Sequence, residues 1–175
     1  MAIWFSSDLH FNHNKSFIYD ARGCDSIEQM NQIILDNFNQ LVAPTDDLWL
    51  LGDLVMGETY KAHELLTQLP GKKHIILGNH DTTLRTELYR SLGWDCQYAT
   101  MLKYNKYCFY LSHYPTLVGN FEEPFAPWNL HGHTHDLNAF SVNPCCYNVN
   151  VDAHELAPIE INDIISNIKE YTKNV

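Results

Sequence analysis

The chain lacks the sequence features of a secreted, disulfide-bonded or membrane-spanning protein. Its five cysteines are odd in number, have no C-x-x-C spacing, and include the adjacent pair Cys145 and Cys146. This pattern argues against a disulfide framework and against a cysteine-based zinc site. No apolar run approaches the length of a membrane span, and the first residues do not have the pattern of a signal peptide. We therefore expect a cytoplasmic protein with no membrane partner.

Positive charge is also scarce. Eleven lysines and arginines stand against 21 aspartates and glutamates, which gives a formal net charge of −10 at pH 7. Because long nucleic acids need a basic surface, this balance argues against such a partner, but a short or cyclic nucleotide is compatible with it. The three arginines are Arg22, Arg85 and Arg90, and the last two fall on a predicted helix and are expected at the surface.

The sequence does have the composition and pattern of a globular α/β protein. Its 175 residues, of which 45% are hydrophobic, can form one domain, 1–175, around a sizeable core. In the first half, short apolar runs alternate with helical segments, such as the helix that Ser26 starts and Pro44 stops, and this alternation predicts a largely parallel sheet. After Gly93 the pattern predicts strands joined only by turns, and then a helix from Asn162 to about Tyr171. We therefore predict two packed β-sheets with helices outside.

Five short polar clusters each follow a strand-like apolar run. They are, in order, Asp8-Leu9-His10, Gly52-Asp53, Gly78-Asn79-His80-Asp81, Ser112-His113 and His131-Gly132-His133-Thr134-His135. Polar groups at strand ends converge on one rim of a sheet, where open sheets place their ligands. The clusters supply imidazoles, carboxylates and one carboxamide, which together suit borderline divalent metals. The pattern therefore indicates a two-metal hydrolase.

The clusters differ in how specific they are. The first two are weak signals alone, because a turn cap or a strand-to-loop ending uses the same residue types. The last cluster has three imidazoles in five residues, which packing explains poorly, and on a strand His133 and His135 would face the same side. We expect Asp81 to cap a helix or to support the site. We expect His131 to be a structural residue or to support the ligands from behind, with an approach to the site itself as the alternative.

In their order, the five clusters resemble the signature of the calcineurin-like metallophosphoesterase superfamily. That signature runs Asp-x-His, Gly-Asp, Gly-Asn-His-Asp/Glu, a lone His and Gly-His-x-His, and its parts match residues 8–135. The short length and the segment 5–13 are similar to the small, cap-less phosphoesterases of bacteria and phages. The resemblance implies an α/β fold, a four-layer αββα sandwich of two mixed β-sheets flanked by helices. It also implies a dinuclear metal-dependent phosphoric ester hydrolase.

The resemblance assigns roles to the matched residues. One metal would be held by Asp8, His10 and His135, the second by Asn79, His113 and His133, and both would be bridged by Asp53. His80 would stand beside the metals and protonate the leaving group as the general acid. The implied cofactors are two divalent ions that activate a bridging hydroxide for in-line attack on phosphorus. Manganese is expected first, with iron, zinc or nickel as alternatives, because N/O ligands admit all of them.

The remaining features bear on the substrate. Protein phosphatases of this superfamily carry an Asp-Arg pair shortly after Gly-Asp, whereas here residues 54–57 read Leu-Val-Met-Gly, which argues against protein phosphatase activity. A terminal phosphate dianion usually needs extra cations, and these are few. Aromatic residues of the loop 114–128 could also stack on a nucleobase. We therefore predict hydrolysis of small phosphodiesters of the nucleotide or cyclic-nucleotide type, with Asn12, His13 and Arg22 as candidate substrate contacts.

Two alternatives stay open at this point. One is a phosphomonoesterase such as a nucleotidase, and the other is a non-catalytic scaffold with the same fold. The filled ligand positions favour an enzyme over a scaffold. The sequence does not indicate an oligomeric state.

Overall fold

The computed structural model describes residues 1–118, 126–140 and 145–174. In these ranges the chain forms nine strands, five α-helices and one short 3-10 helix. The first part contains β1 (Ile3–Ser6), α1 (Ser16–Tyr19), α2 (Ile27–Leu41), β2 (Asp47–Leu50), α3 (Thr59–Thr67), β3 (Lys72–Ile76), α4 (Thr83–Ser91) and β4 (Asp95–Gln97). The second part contains β5 (Ala99–Tyr104), β6 (Tyr107–Ser112), β7 (Trp128–His131), β8 (Cys146–Asn148), the 3-10 helix (Val151–Ala153), β9 (Ile159–Glu160) and α5 (Ile161–Asn174).

The first sheet has five strands in the order β4-β3-β2-β1-β9. Strands β1 to β4 are parallel, and β9 runs antiparallel to β1. Buried residues of α2, α3 and α4, among them Phe38, Leu66 and Tyr89, form one core with Leu48 and Ile75 of this sheet. The predicted parallel sheet is confirmed. The sequence pattern did not predict β4, because three residues of mixed polarity give no periodic signal.

The second sheet has four strands in the order β5-β6-β7-β8. Strands β5 and β6 form an antiparallel pair, whereas β6, β7 and β8 are parallel. A second core lies between the sheets, where Phe5 and Ile76 of the first sheet join Leu111 and Leu130 of the second and the isoleucines of α5. The predicted α/β sandwich of two mixed β-sheets flanked by helices is confirmed.

The carboxyl ends of the parallel strands of both sheets meet at one rim. Ser7, just after β1, forms a parallel bridge with Asn150, just after β8. The amide of Val151 also donates to the Ser7 carbonyl over 3.2 Å. Residues that follow the strands of either sheet are therefore brought together, although they are far apart in sequence.

Local sequence explains where the long helix α2 starts. Ser26 precedes it, and the Ser26 hydroxyl accepts a hydrogen bond from the Gln29 amide over 3.1 Å, as expected for an N-cap. Helix α2 ends at Leu41, three residues before Pro44. None of the helices in the described ranges has the length and apolar character needed to cross a membrane.

Phe5 offers a test of the core between the sheets. Its side chain is fully buried, so Phe5→Ala removes a large apolar group and should lower the free energy of unfolding by about 3–5 kcal/mol. Phe17→Ala is the matched control, because Phe17 is 67% exposed, and it should change that free energy by no more than about 0.5 kcal/mol. Urea unfolding of both variants measures the difference. Equal effects would contradict the assignment of Phe5 to the core.

Candidate metal centre

The five polar clusters lie together where the two sheets meet. Backbone hydrogen bonds join them in pairs: the Asp8 amide donates to the Gly52 carbonyl over 2.9 Å, and the Gly132 amide donates to the His113 carbonyl over 3.0 Å. The clusters therefore form a single rim, as the strand-end argument predicted.

The first group of convergent side chains contains Asp8, His10 and His135. The Nε2 atoms of the two imidazoles are 3.2 Å apart. Asp8 Oδ1 lies 3.8 Å from His10 Nε2 and 3.7 Å from His135 Nε2. One potential ligand atom from each residue lies within 4.8 Å of the others, so the three side chains could hold one ion together.

The second group is built around Asn79 and His113. Asn79 Oδ1 lies 2.9 Å from His113 Nε2 and 3.0 Å from His133 Nδ1. Asp53 Oδ2 lies 3.4 Å from His113 Nε2. Asp8 and Asp53 both come within 4.8 Å of His113, so carboxylates lie between the two groups. The structure thus brings all seven predicted metal ligands together at one rim, where Asp8, His10 and His135 converge and where Asn79 contacts His113 and His133.

Burial disfavours the charged forms of the side chains in this cluster and shifts their pKa values. Asp8 is fully buried, and its Oδ1 has no hydrogen-bond partner in the part of the chain that the structure describes. Burial raises the pKa of Asp8 from 3.8 to about 6. Burial, helped by the nearby His135, also lowers the pKa of His10 to about 2, so its imidazole is neutral. An unpaired buried carboxylate oxygen beside a neutral imidazole is the donor set that divalent cations bind, so these residues fit such ions.

The backbone of the rim adopts a strained conformation. Among the described residues, eleven that are not glycine have a positive φ, and six of these are predicted site residues. The six are Asp8 (55°), His10 (50°), Asn12 (62°), Asp53 (57°), His133 (70°) and His135 (52°). Such left-handed residues cost on the order of 1–3 kcal/mol each and cluster at functional sites, where the surrounding structure enforces them.

Two glycines of the clusters are required by close approach. A Cβ at Gly78 would collide with the Asp53 carboxylate and with its backbone nitrogen, at 2.9 Å. A Cβ at Gly132 would collide with the Ser7 side chain and with Asp8 Oδ2. The absence of a side chain at these positions therefore lets the carboxylates reach the neighbouring loops.

His80 lies at the open side of the cluster. Its side chain is 45% exposed, and its Nε2 lies 3.9 Å from Asp53 Oδ2. The His80 amide donates to Asp53 Oδ1 over 2.8 Å. Arg85 donates to the His80 carbonyl through Nη1 and to the Gly57 carbonyl through Nη2. The expectation of a surface role for Arg85 was therefore incomplete, because this half-buried side chain holds the loop that carries His80.

Asp81 supports the site rather than capping α4. Its Oδ2 accepts from the Gly78 amide over 2.8 Å and from the Asp53 amide over 2.9 Å, and its Oδ1 accepts from the Tyr89 hydroxyl over 2.7 Å. Thr82 is the N-cap residue of α4. Of the two roles expected for Asp81, the structure shows the supporting one.

Asn12 and His13 lie next to the first group. Asn12 Oδ1 accepts from Asn31 Nδ2 of α2 over 3.0 Å, which holds the loop after β1 against that helix. The His13 and His10 rings are 5.4 Å apart, and the His13 side chain is partly exposed. Both predicted substrate contacts therefore border the cluster.

Arg22 is placed differently from what the sequence indicated. Its side chain is 3% exposed, and its donors all face protein atoms. Nε donates to Asp152 Oδ1, Nη1 to the Leu9 carbonyl and Met30 Sδ, and Nη2 to the Asp8 carbonyl and Asp152 Oδ2. This geometry argues against the prediction that Arg22 binds substrate, because its donors are already used.

Asp152 is the site residue that the sequence analysis missed. Its Oδ2 lies 2.7 Å from His135 Nδ1. Burial alone would raise the pKa of Asp152, but its hydrogen bonds from His135 and Arg22 outweigh burial and lower the pKa to about 2. Burial likewise lowers the pKa of His135, and the Asp152 hydrogen bond and the Asp8 charge reverse this and raise it overall. The missed signal was positional, since Asp152 follows the apolar run at β8 as the other clusters follow theirs.

Two further expectations concern residues beside the cluster. His131 is buried, and its Nδ1 contacts the Gly132 carbonyl over 2.8 Å, which agrees with a structural role. In the loop 114–128, Tyr114 is 49% exposed with its ring 4.6 Å from the His133 ring, whereas Trp128 is buried. Phe121 and Phe125 lie outside the described residues.

Comparison with known proteins identifies the family. The calcineurin-like phosphoesterase family matches residues 1–165, and this chain belongs to it. The family is one of metal-dependent phosphoesterases, and the convergence of metal-ligand side chains described above agrees with that assignment.

Individual relatives are similar over nearly their whole length. The uncharacterized protein MJ1445 of Methanocaldococcus jannaschii is 32% identical, over 96% of this chain and 92% of the relative. The gene 66 protein of Mycobacterium phage D29 is 30% identical, over 96% of this chain and 98% of the relative. The crystal structure of AQ665 from Aquifex aeolicus, a protein of unknown function, has a TM-score of 0.72 at 24% identity and covers 95% of this chain and 99% of its own, which shows a shared fold.

The raised pKa of Asp8 gives a prediction about metal-free protein. Because the pKa of Asp8 rises from 3.8 to about 6 on folding, ionisation of Asp8 lowers the free energy of unfolding by roughly 3 kcal/mol above pH 6. Below about pH 4 the carboxyl is protonated in both states and this effect disappears. Asp8→Asn should therefore be more stable than the wild type at about pH 7.5, and the two should converge toward about pH 4. Urea unfolding across this pH range is the measurement. The exposed Asp20→Asn is the control and should show no such gap; a pH-independent gap for Asp8→Asn would refute the argument.

Proposed function

We propose that this protein hydrolyses small phosphodiesters at a pair of divalent metal ions. The observation that carries the proposal is the geometry of the rim, where two adjacent groups of ligand-type side chains meet at the buried carboxylates Asp8 and Asp53. When bound, two such ions would supply an activated water and would neutralise charge on the phosphate. Manganese is the metal we would test first.

The roles proposed for the ligands follow the two groups. Asp8, His10 and His135 would hold one ion, Asn79, His113 and His133 the other, and Asp53 would lie between them. The buried and exposed members are arranged in depth: Asp8, His10, Asp53 and His113 are buried, whereas Asn79, His133 and His135 are exposed. A phosphate ester could therefore approach from solvent on the side where the exposed ligands lie.

We assign the general acid to His80. Its ring lies 5.8 Å from the ring of His10, so it stands beside the ligands, and it is exposed enough to reach a leaving group. Asp53 Oδ1 and Arg85 fix the backbone of His80 on both sides. An imidazole carried on this fixed backbone next to the scissile bond can donate a proton to the departing alkoxide.

The positions of the arginine side chains favour a phosphodiester over a phosphomonoester as the substrate. A phosphomonoester carries close to two negative charges at neutral pH, whereas a diester carries one. Arg22 is bound to Asp152 and two backbone carbonyls, and Arg85 is bound to the His80 and Gly57 carbonyls. Arg90 is exposed in the last turn of α4. Two arginines are thus bound to protein atoms and the third lies on the surface of α4, so no guanidinium among the described residues is placed to bind a second phosphate charge.

The proton-donor role of His80 predicts a specific defect. His80→Ala should lower kcat by ~10²–10⁴, the range for general acid catalysis, while the metal content of the reconstituted protein stays the same. Steady-state kinetics with elemental analysis measures both quantities. A substantial loss of metal in this variant would instead place His80 among the ligands.

Asp53→Asn is the matched comparison for that variant. Because Asp53 lies between the two groups, its replacement should lower metal content and activity together. Asparagine tolerates the positive φ of this position, so the loop should keep its conformation. Retained activity in Asp53→Asn would contradict the bridging role.

The substrate class can be tested by parallel assays. Apo-protein reconstituted with Mn, Fe, Zn or Ni should hydrolyse bis-p-nitrophenyl phosphate with a kcat/KM at least about tenfold above that for p-nitrophenyl phosphate, a difference of about 1.4 kcal/mol in transition-state stabilisation. Nucleotides, cyclic nucleotides and oligonucleotides then define the natural group. Preference for the monoester would favour a nucleotidase, and no hydrolysis with any metal would favour a scaffold.

A further inference from the structure

Asp152 and Arg22 form a buried ion pair directly behind His135. Asp152 lies in the 3-10 helix Val151–Ala153, after β8, whereas Arg22 lies in the loop after α1. Arg22 Nε and Asp152 Oδ1 are 2.7 Å apart, and the side chains are only 3% and 10% exposed. We propose that Asp152 and Arg22 are positioning residues that fix His135 for metal binding, an inference that rests on the proposed metal centre.

The first step is the choice of tautomer at His135. Asp152 Oδ2 lies 2.7 Å from His135 Nδ1, and the Arg22 guanidinium contacts both oxygens of this carboxylate. A carboxylate paired with a guanidinium accepts hydrogen bonds, so Nδ1 donates. The lone pair is then on Nε2, the atom that faces Asp8 Oδ1 and His10 Nε2. A carboxylate on the second nitrogen of a histidine fixes both the tautomer and the ring orientation needed for a metal ligand.

The second step is the fixation of Asp152 itself. The Asp152 amide donates to Asn150 Oδ1 over 2.9 Å, which holds the start of the 3-10 helix. Arg22 contacts both carboxylate oxygens, Oδ1 through Nε and Oδ2 through Nη2. This two-point contact sets the plane of the carboxylate and so the direction from which His135 is bound.

The third step links the pair to the other residues of the first group. Arg22 Nη2 donates to the Asp8 carbonyl over 2.8 Å, and Nη1 donates to the Leu9 carbonyl over 2.9 Å. These carbonyls belong to the turn that carries Asp8 and His10, both of which have a positive φ. One guanidinium therefore holds the loop after β1 in register with Asp152 after β8, and so places Asp8, His10 and His135 relative to one another.

The Asp152–Arg22 pair contacts residues of the first group of ligands and not His113 or His133 of the second. A positioning role should therefore affect one metal site, whereas a general loss of stability should affect both. In the second group, His113 Nδ1 contacts the neutral Leu51 carbonyl over 2.8 Å. His133 contacts the Asn79 carboxamide through Nδ1. Loss of the carboxylate behind His135 should therefore weaken one metal site and leave the other.

The test compares Asp152→Asn with a matched control, Asp47→Asn. Like Asp152, Asp47 contacts a histidine through its carboxylate, with Oδ1 2.9 Å from His74 Nε2. This contact lies at the start of β2, away from the rim. Apo-proteins are titrated calorimetrically with Mn²⁺ alone. We expect two sites in the wild type and in Asp47→Asn, whereas in Asp152→Asn one site should weaken roughly 10–100-fold and the other should stay within about twofold.

A second variant covers the case of misfolding. Asp152→Asn leaves the buried Arg22 charge without its partner, so the single variant could be unstable. The double variant Asp152→Asn/Arg22→Met removes both charges and keeps an unbranched side chain, and it should show the same selective weakening. Two unchanged sites, or equal weakening of both sites, in a folded variant would overturn the inference.

A metal-independent measurement separates this inference from the proposed function. Nitrogen-15 NMR of the metal-free wild type, recorded at a pH high enough for the His135 imidazole to be neutral, should show the Nδ1-protonated tautomer, and Asp152→Asn should lose that preference. Wild-type protein with fewer than two sites would overturn the proposed metal centre. Wild-type protein with two sites, but with a His135 tautomer that is the same with and without Asp152, would overturn the positioning role alone.

Discussion

The burial of the Asp8 carboxylate at the junction of the two sheets is the constraint on which the rim depends. A buried carboxylate is expensive unless it is paired or hydrogen-bonded. Here the His133 amide satisfies Oδ2 over 3.0 Å, and Oδ1 faces two imidazoles. The neighbouring loops can approach this closely only because Gly132 has no side chain. The Asp8 carboxylate is therefore enclosed by residues with positive φ, by loops that approach it at Gly132, and by the ends of strands from both sheets.

The packing of the two sheets gives the cluster a buried side and a side that is exposed to solvent. The carboxyl ends of parallel strands from both sheets reach the same rim, so each sheet contributes residues to the cluster. The deep residues, Asp8 and Asp53, are held by backbone amides and buried imidazoles, whereas His80 and His133 face solvent. The core between the sheets fixes the deep side, and the exposed side is available for the reacting ester.

The positions of the few arginines bear both on the stability of the site and on the proposed substrate preference. The chain has a net charge of −10 and three arginines. Two of these arginines hold loops of the site through backbone carbonyls, and Arg22 additionally neutralises Asp152. The guanidinium groups of Arg22 and Arg85 are thereby used to build the site instead of binding a second phosphate charge, and this is the physical basis for the proposed preference for a diester.

The order of the motifs carried most of what could be read in advance. Apolar runs that end in Asp, Asn, Gly and His predicted the parallel strands and a shared rim of ligand-type residues, because strand polarity places such residues together. The choice of the seven individual ligands came from the family resemblance. The sequence also predicted the cap of α2 through Ser26. It missed β4 and α1, since three or four residues carry too little periodicity to be recognised.

Other features were decided only by the tertiary structure. The residue types that follow each strand are fixed by local sequence, and with them the fold class and the composition of the cluster. Asp152 and Arg22 are 130 positions apart, and only the packing of the sheets makes them a buried pair behind His135. The same packing turned Arg22 from a candidate substrate contact into an internal support and Arg85 from a surface residue into a support for the His80 loop. Hydrogen-bond partners across the rim depend on the relative position of two sheets, and no local pattern encodes that position.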